Sequence, residues 1–232
     1  TWNAVKKTTL AWGSTDVRYS RSQPATGTKA LMLDAWRGER VSAQAVLSTP
    51  VDLSRVTMEV SDLKCGKSII PAASVRKYFV RYVMTDWHNN KADSFLLPDH
   101  LSPDAEMKVA AHTTRPMWLD IRVPQDAKPG TYKGMLSVTF DGQTLSLPLS
   151  LQVCSRVLPS EWSFHLDLWQ NPYAVARYFN VPLWSQEHFD RMRPIMKLLA
   201  DAGEKVITCS IIQHPWNSQT YDPFESMIAK MR

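Results

Sequence analysis

Residues 131–153 alternate apolar and polar side chains with a period of two, and this pattern constrains the fold more than any other feature of the sequence. Asp141 and Gly142 divide the stretch into two arms, and an Asp-Gly pair between alternating arms is the strongest short signal of a β-hairpin. Because only one face is apolar, the hairpin must lie in a two-layer structure that buries this face. The apolar face consists of Tyr132, Leu136, Val138, Phe140, Leu145, Leu147, Leu149, Leu151 and Val153. Pro148 lacks an N–H group, which predicts an edge strand or an open side at that position.

Further strand-like segments precede the hairpin and are separated by turn residues. They are residues 30–36, 41–47, 56–63, 75–84 and 117–124. In the second of these, one face consists of Val41, Ala43, Ala45 and Leu47. Together with the hairpin they make about seven strands without helical periodicity, which predicts a mainly β fold with a β-sandwich over residues 1–157.

Two other parts of this region are interpreted as connections. Trp36, Arg37 and Glu39 look like a site motif, but Gly38 favours a turn and Arg–Glu pairs are usually structural, so a turn is predicted. Residues 85–116 have no clear period, which predicts a long irregular insertion. Its segment 86–93 either reaches over a neighbouring domain or fills the seam between domains.

The pattern changes over residues 158–232. Residues 164–169 resemble a short strand, and Ser185 resembles a helix N-cap with Glu187 in the first turn. The predicted helix has an apolar stripe of Phe189, Met192, Met196 and Leu199. Pro194 is expected to kink or shorten the helix, and Gly203 to cap its end. Residues 205–212 are then apolar nearly throughout, as in a buried parallel strand.

The order strand, helix, strand predicts a βαβ unit. A single unit of this kind leaves one face and one edge uncovered. We therefore expect the chain to be an N-terminal fragment, with the missing part continuing into an open α/β sheet or a (β/α)8 barrel.

Polar and aromatic side chains follow both predicted strands of this unit. Binding sites in such folds lie beyond the C-terminal ends of the strands. The candidates are Asp167 and Trp169 after the first strand, and His214, Trp216 and Asn217 after the second. Tryptophan rings stack on the C–H face of a sugar while polar groups bind its hydroxyls, so these residues predict a sugar-binding rim.

Each candidate also has a structural alternative. For Asp167 it is a loop cap or an ion pair with Arg177. For Trp169 and Trp216 it is packing in a barrel mouth or domain interface, because tryptophan more often packs than binds. For His214 it is a hydrogen bond to the backbone of its own loop. The weakest candidates are Asn217 and Gln170.

Composition and charge exclude several classes of function. Lys and Arg number 27 against 22 Asp and Glu, a net charge of +5, but they are scattered, which argues against nucleic acid as a partner. No apolar stretch approaches the ~18 residues that span a bilayer, so no membrane span is predicted. The three Cys and six His form no ligand cluster, so neither a disulfide framework, a metal site nor a cofactor is predicted. Cys154 and Cys209 are predicted to be buried thiols.

Four segments resemble the N-terminal half of glycoside hydrolase family 123, a family of β-N-acetylgalactosaminidase-like proteins. They read AWRGERVSAQAVL, MWLDIRVPQDAKPGTYKGMLSV, LPSEWSFHLDLWQNP and HPWNSQTYDPF. The resemblance implies a β-sandwich followed by a (β/α)8 barrel, so residues 158–232 would be the first βαβ unit of a truncated barrel. Within them, DLW and HPWN match parts of the family's sugar pocket.

The same resemblance implies a reaction: removal of terminal β-N-acetylgalactosamine by substrate-assisted catalysis. In this mechanism an Asp polarises the substrate acetamide and an adjacent Glu is the general acid. The chain contains no adjacent Asp–Glu pair. No catalytic residue is therefore assigned, and the chain alone is expected to be inactive.

Two functions remain as hypotheses. The first is the N-terminal portion of a secreted, periplasmic or cell-surface glycoside hydrolase with a glycan substrate, from which a signal peptide has been removed. The alternative is a non-catalytic glycan-binding or structural β-sandwich module of a surface protein. A related possibility is a parent that keeps the fold with a decayed active site. The sequence makes no prediction of the oligomeric state.

Overall fold

A computed structural model of the 232-residue chain describes residues 1–85, 94–159, 163–168 and 170–206. The chain divides into two compact units, Thr1–Leu158 and Pro159–Arg232. In the described residues the first unit consists of strands with two short 3-10 turns, and the second contains two α-helices.

The first unit contains twelve described strands in two sheets. They are β1 Thr9–Gly13, β2 Leu31–Arg37, β3 Arg40–Thr49, β4 Leu53–Val60, β5 Leu63–Cys65, β6 Ser68–Ile70, β7 Val75–Thr85, β8 Phe95–Ser102, β9 Glu106–Val109, β10 Thr113–Arg122, β11 Gly130–Phe140 and β12 Gln143–Val157. One sheet has the order β1-β3-β10-β7-β8; the other has the order β2-β12-β11-β4-β9, with β5 and β6 attached beside β11. Buried residues of both sheets form one core, so the mainly β prediction is confirmed and the unit is a β-sandwich.

The predicted hairpin is confirmed and lies at the centre of the second sheet. β11 and β12 pair in register from Gly130 with Val153 to Phe140 with Gln143. The two turn residues have positive φ, 45° at Asp141 and 78° at Gly142, as a type I′ turn requires. The apolar face lies in the core.

The edge-strand alternative for Pro148 is wrong, because β12 lies between β11 and the parallel strand β2. The open-side alternative holds, since the pairing with β2 begins only at Leu149. The Pro148 carbonyl accepts a hydrogen bond from the Trp12 indole at 2.8 Å. Trp12 belongs to β1 in the other sheet and is 2% exposed, so this bond ties the two sheets together.

Strand β3 differs from a half-buried strand because both of its faces are covered. The core face is confirmed for Ala43, Ala45 and Leu47, yet the opposite face, with Gln44 and Ser48, is also buried. The cover is the segment between β1 and β2. Period-two alternation could not reveal it, because the polar outer face reads as solvent-exposed.

Hydrogen bonds satisfy the buried polar groups on this outer face. The Gln44 amide donates to the carbonyls of Ser14 and Val17, at 2.6 and 3.1 Å. A chain of bonds then runs from Ala25 N–H to the Ser48 hydroxyl (2.9 Å), to the Thr114 hydroxyl (2.7 Å) and to the Gln23 carbonyl (2.6 Å). Complete satisfaction of this kind is what makes buried polar groups tolerable.

The predicted irregular insertion over residues 85–116 is wrong for its described part. It contains β8, β9 and the start of β10. β8 and β9 are the edge strands of the two sheets and pair on one side only. Half of their residues are exposed and the buried ones do not alternate regularly, so they carry no clear apolar period. The segment 86–93 lies outside the described residues.

The turn interpretation of residues 36–39 is confirmed. Gly38 has φ 82°, and the Glu39 carboxylate accepts a hydrogen bond from the Trp36 N–H at 2.6 Å. The turn joins β2 in one sheet to β3 in the other. The buried-thiol prediction is wrong for Cys154, which is half-exposed because it points away from the core face of β12; Cys209 lies outside the described residues.

In the second unit the structure describes α1 Pro172–Phe179 and α2 Gln186–Asp201. The predicted start of α2 is confirmed: the Ser185 hydroxyl accepts from His188 N–H, and Glu187 lies in the first turn. The predicted end is confirmed as well. Gly203 has φ 96°, its N–H bonds the Ala200 carbonyl, and the next N–H bonds the Leu199 carbonyl, which together form a Schellman motif.

Pro194 does not shorten α2, which continues through it to Asp201. The predicted stripe is only partly covered: Phe189 is 47% exposed and the other three side chains are half-buried. The apolar face of α2 is thus incompletely packed by the described residues.

The predicted strand at 164–169 is wrong for its described residues, which form only an isolated parallel bridge between Leu166 and Glu204. The predicted second strand, 205–212, lies largely outside the described residues. The helix α1 was not predicted, although Asn171 before Pro172 is a recognised start signal. The (β/α)8 barrel therefore stays a prediction.

We expect Trp12→Phe to lower the free energy of unfolding by about 1–3 kcal/mol, because it leaves the Pro148 carbonyl unpaired and opens a void. Urea unfolding of the whole chain measures the change. The matched control is Trp118→Phe at a half-buried position of the same sheet, with an expected loss below about 1 kcal/mol. Equal losses for the two variants would contradict the tie between the sheets.

Burial raises the pKa of Tyr82 to about 12, against an opposing effect of Arg115 and Arg21. The folded protein therefore holds this proton more tightly than the unfolded chain. This difference contributes to the free energy of unfolding in full below pH 10, and the contribution is lost as the pH rises towards 12. In a titration followed by phenolate absorbance, the absorbance of Tyr82→Phe is subtracted from that of the wild type, and the remaining curve should have its midpoint near pH 12. A midpoint near pH 10 would contradict the buried environment of Tyr82.

Candidate functional site

The candidate site is the segment around the predicted strand end, described at residues 163–168 and 170–171. Its organising contact is the Glu204 carboxylate, which the sequence interpretation missed. Oε1 of Glu204 accepts from the Leu168 N–H at 3.0 Å and from the Gln170 side-chain amide. The Gln170 amide also donates to the Leu168 carbonyl. Glu204 thus fixes the residues on both sides of position 169.

Two oxygens of this cluster are buried and have no hydrogen-bond partner among the described residues: Glu204 Oε2 and Gln170 Oε1. Both are acceptors, so the cluster can still receive hydrogen bonds from N–H or O–H groups. The local signal for Glu204 was its position directly after the Gly203 helix cap, at the start of the next predicted strand.

Of the predicted rim residues, Asp167 is in the described part, where its side chain is exposed to solvent. Trp169, His214, Trp216 and Asn217 lie outside the described residues. Whether the five side chains converge therefore remains a prediction.

Asn171 has a structural role. Its side-chain oxygen accepts from the Ala174 N–H at 3.2 Å and caps α1, with Pro172 at the first helical position. This arrangement explains the Asn-Pro pair without a ligand.

A buried histidine joins the two helices of this unit. His188 is 0% exposed; its Nδ1 accepts from the Trp184 N–H at 3.0 Å and its Nε2 lies 2.9 Å from the Pro172 carbonyl. A carbonyl can only accept, so the proton sits on Nε2. Nε2 thus joins α2 to the start of α1, while Nδ1 holds the backbone of the segment directly before α2, and the two contacts give His188 a positioning role.

Trp184 next to it has an unusual backbone. Its φ is 60°, a left-handed value that bulky residues rarely adopt. Its ring lies against Tyr173 and His188, with centroids 5.7 and 5.3 Å apart, and these contacts hold the conformation.

The described residues contain no group of three or more His, Cys, Asp or Glu side chains that could hold a metal ion. None of the described helices has both the length and the hydropathy needed to cross a membrane.

Residues 12–140 match the family model of the glycoside hydrolase 123 N-terminal domain. The chain belongs to glycoside hydrolase family 123. Residues 169–232 match the model of the family 123 catalytic domain, so segments that match the two family domain models follow one another in this sequence.

The fold is similar to that of a family 123 glycoside hydrolase from Clostridium perfringens, whose structural analysis addressed glycolipid glycan hydrolysis. The TM-score is 0.88 with 24% identity, over 96% of this chain and 41% of that one. The likeness establishes the fold, and this chain spans 41% of the length of that enzyme.

Two other matching structures have low TM-scores. A CooA pilin subunit from enterotoxigenic Escherichia coli has a TM-score of 0.35 at 11% identity, over 65% of this chain and 99% of that one. The PapD-like domain 7 of human CEP192 has a TM-score of 0.32 at 13% identity, over 64% and 86%. Neither supports a functional inference. Comparison with curated proteins finds no significant match.

The cap assignment predicts that Asn171→Ala destabilises α1 by about 0.5–2 kcal/mol, because an N–H of the first turn loses its acceptor. Hydrogen exchange of the α1 amides in the whole chain should become roughly 2- to 30-fold faster, which is the factor that corresponds to this free energy. Asn171→Ser keeps a capping oxygen and should exchange nearly as the wild type does. Unchanged exchange in Asn171→Ala would rule out the cap.

Proposed function

We propose that the chain forms the β-sandwich and the first part of the catalytic domain of a glycosidase that acts on N-acetylhexosamine glycans of the β-N-acetylgalactosamine type. The observation that carries this proposal is the match to both family 123 domains in order. The fold similarity over 96% of the chain supports it.

The proposed reaction is substrate-assisted. The acetamido oxygen of the sugar attacks the anomeric carbon, an Asp polarises the acetamide, and the adjacent Glu gives its proton to the leaving oxygen. Since the 232 residues contain no adjacent Asp–Glu pair, these two acids are expected elsewhere in the full-length gene product. The role proposed for this chain is to position the substrate.

The proposed substrate contacts are the predicted rim residues. The exposed Asp167 carboxylate accepts a sugar hydroxyl, the rings of Trp169 and Trp216 stack on sugar faces, and His214 and Asn217 bind hydroxyls. The described contacts that support this assignment are the hydrogen bonds that Glu204 accepts from Leu168 and Gln170, the two sequence neighbours of Trp169. A fixed backbone places a stacking ring with little loss of conformational freedom.

The test of the activity is hydrolysis of aryl β-N-acetylgalactosaminide and aryl β-N-acetylglucosaminide. We expect the full-length gene product to release the aryl group and the 232-residue chain alone to be inactive. A folded full-length protein that releases nothing from either substrate, or from other common aryl glycosides, would refute the proposal.

In the full-length protein we expect Asp167→Asn to reduce kcat/KM about tenfold, since a charge-assisted hydrogen bond becomes a neutral one. Steady-state kinetics with the aryl substrate measures the effect. The matched control is Asp34→Asn, at an exposed carboxylate on β2, which should change kcat/KM less than twofold. An equal response of the two variants would remove Asp167 from the proposed site.

The alternative is a non-catalytic glycan-binding or structural sandwich module. The observation in its favour is that Thr1–Leu158 is a compact unit with its own apolar core. Glycan-array binding by residues 1–158, together with an inactive full-length protein, would support it. Export from the cytoplasm is a further part of the proposal, which cell fractionation would test.

A further inference from the structure

Arg115 is a charged residue in an apolar position. On β10 it alternates with Met117, Leu119 and Ile121, whose side chains form part of the sandwich core. Its side chain therefore starts on the core-facing side of β10 and is half-buried. Burial of a charge is costly unless a counter-charge and hydrogen bonds compensate for it.

The compensation that Arg115 receives is incomplete. One terminal nitrogen donates to the Val80 carbonyl at 2.8 Å, and the guanidinium lies 5.0 Å from the centre of the Tyr82 ring. Its Nε is buried without a hydrogen-bond partner among the described residues. Tyr82 is not the counter-ion, since its raised pKa keeps the phenol neutral near pH 7.

The neighbours of Arg115 increase the cost. Burial lowers the pKa of Arg115, and the positive charges of Arg21 and Arg81 lower it further, against an opposing effect of Tyr82. Arg81 forms an ion pair with the Asp104 carboxylate, which also accepts a hydrogen bond from the Ser102 hydroxyl. In the described ranges Arg21 and Arg115 take part in no ion pair.

Four positively charged side chains line a groove of about 320 Å³: Arg21, Arg81, Lys108 and Arg115. Its walls come from both sheets, with Arg81 on β7 in one and Lys108 on β9 in the other. The volume lies in the range of about 300–1,000 Å³ typical of small-molecule pockets. The groove therefore combines room for a small molecule with an excess of positive charge.

We propose that this groove binds a small oxyanion, either the carboxylate or sulfate group of an acidic sugar or the free inorganic ion, with Arg21 and Arg115 as its main ligands. Two planar guanidinium groups offer paired donors that match the oxygens of such a group. The bound anion supplies a negative charge beside Arg21 and Arg115, for which the described residues provide no ion pair. The inference does not depend on the proposed hydrolysis, because it concerns the sandwich alone.

The experiment follows the arginine Nε–H signals of the ¹⁵N-labelled 232-residue chain by NMR during titration at constant ionic strength. The probes are sodium sulfate, sodium phosphate, glucuronate and sulfated N-acetylgalactosamine, with uncharged N-acetylgalactosamine as the neutral comparison. We expect a saturable shift of the Arg115 Nε–H signal with at least one of the charged probes and none with the neutral sugar. Tighter binding of an acidic sugar than of either inorganic ion assigns the glycan source; equal or weaker binding assigns the free ion.

The variants are Arg21→Ala, at an exposed side chain, and Arg115→Lys, which keeps the charge but loses the paired donors. Each should weaken binding at least about tenfold. The matched control Arg76→Ala removes an exposed arginine elsewhere on β7 and should change the Kd less than twofold. Equal affinities of Arg21→Ala and Arg76→Ala, or no saturable shift with any charged probe, would overturn the proposal.

Discussion

The sandwich depends on one constraint: the apolar faces of two sheets must cover each other completely. The β11–β12 hairpin is central to this contact, because it lies between β2 and β4 and buries a continuous row of leucine and valine side chains. Burial of each such side chain contributes about 1.5–3 kcal/mol. Trp12 adds a directional bond to this contact, because its indole N–H reaches the Pro148 carbonyl of the opposite sheet.

Several polar side chains of the same unit are buried, and they differ in how completely their hydrogen bonds are satisfied. On the outer face of the five-stranded sheet, Gln44, Ser48 and Thr114 are buried, and the backbone between β1 and β2 satisfies each of them. Arg115 stands in contrast, because its Nε has no described partner and the described cations Arg21 and Arg81 act on its charge. This contrast within one sheet is why Arg115 is interpreted as part of a binding site and the others as structural.

In the second unit, the described contacts lie next to the residues that are proposed to bind the substrate of a family 123 glycoside hydrolase. Local contacts in this unit hold the segment that leads to the predicted sugar rim: Glu204 binds both neighbours of residue 169, Asn171 caps α1, and His188 joins α1 to α2. None of these groups is a proposed catalytic acid. Their described function is to fix backbone geometry next to side chains that are proposed to meet the substrate.

The sequence by itself determined the features whose causes are local. The hairpin at 131–153, the turn at Gly38, and the caps at Ser185 and Gly203 follow from side-chain periodicity and from the backbone preferences of a few adjacent residues. Tertiary structure alone decided which polar faces are covered, that β8 and β9 form edges, and that Glu204 meets Leu168. These outcomes depend on partners distant in the chain, as with Thr114 and Gln23, 91 residues apart. A local pattern holds no information about such partners, because the free energy that selects them arises only when the sheets assemble.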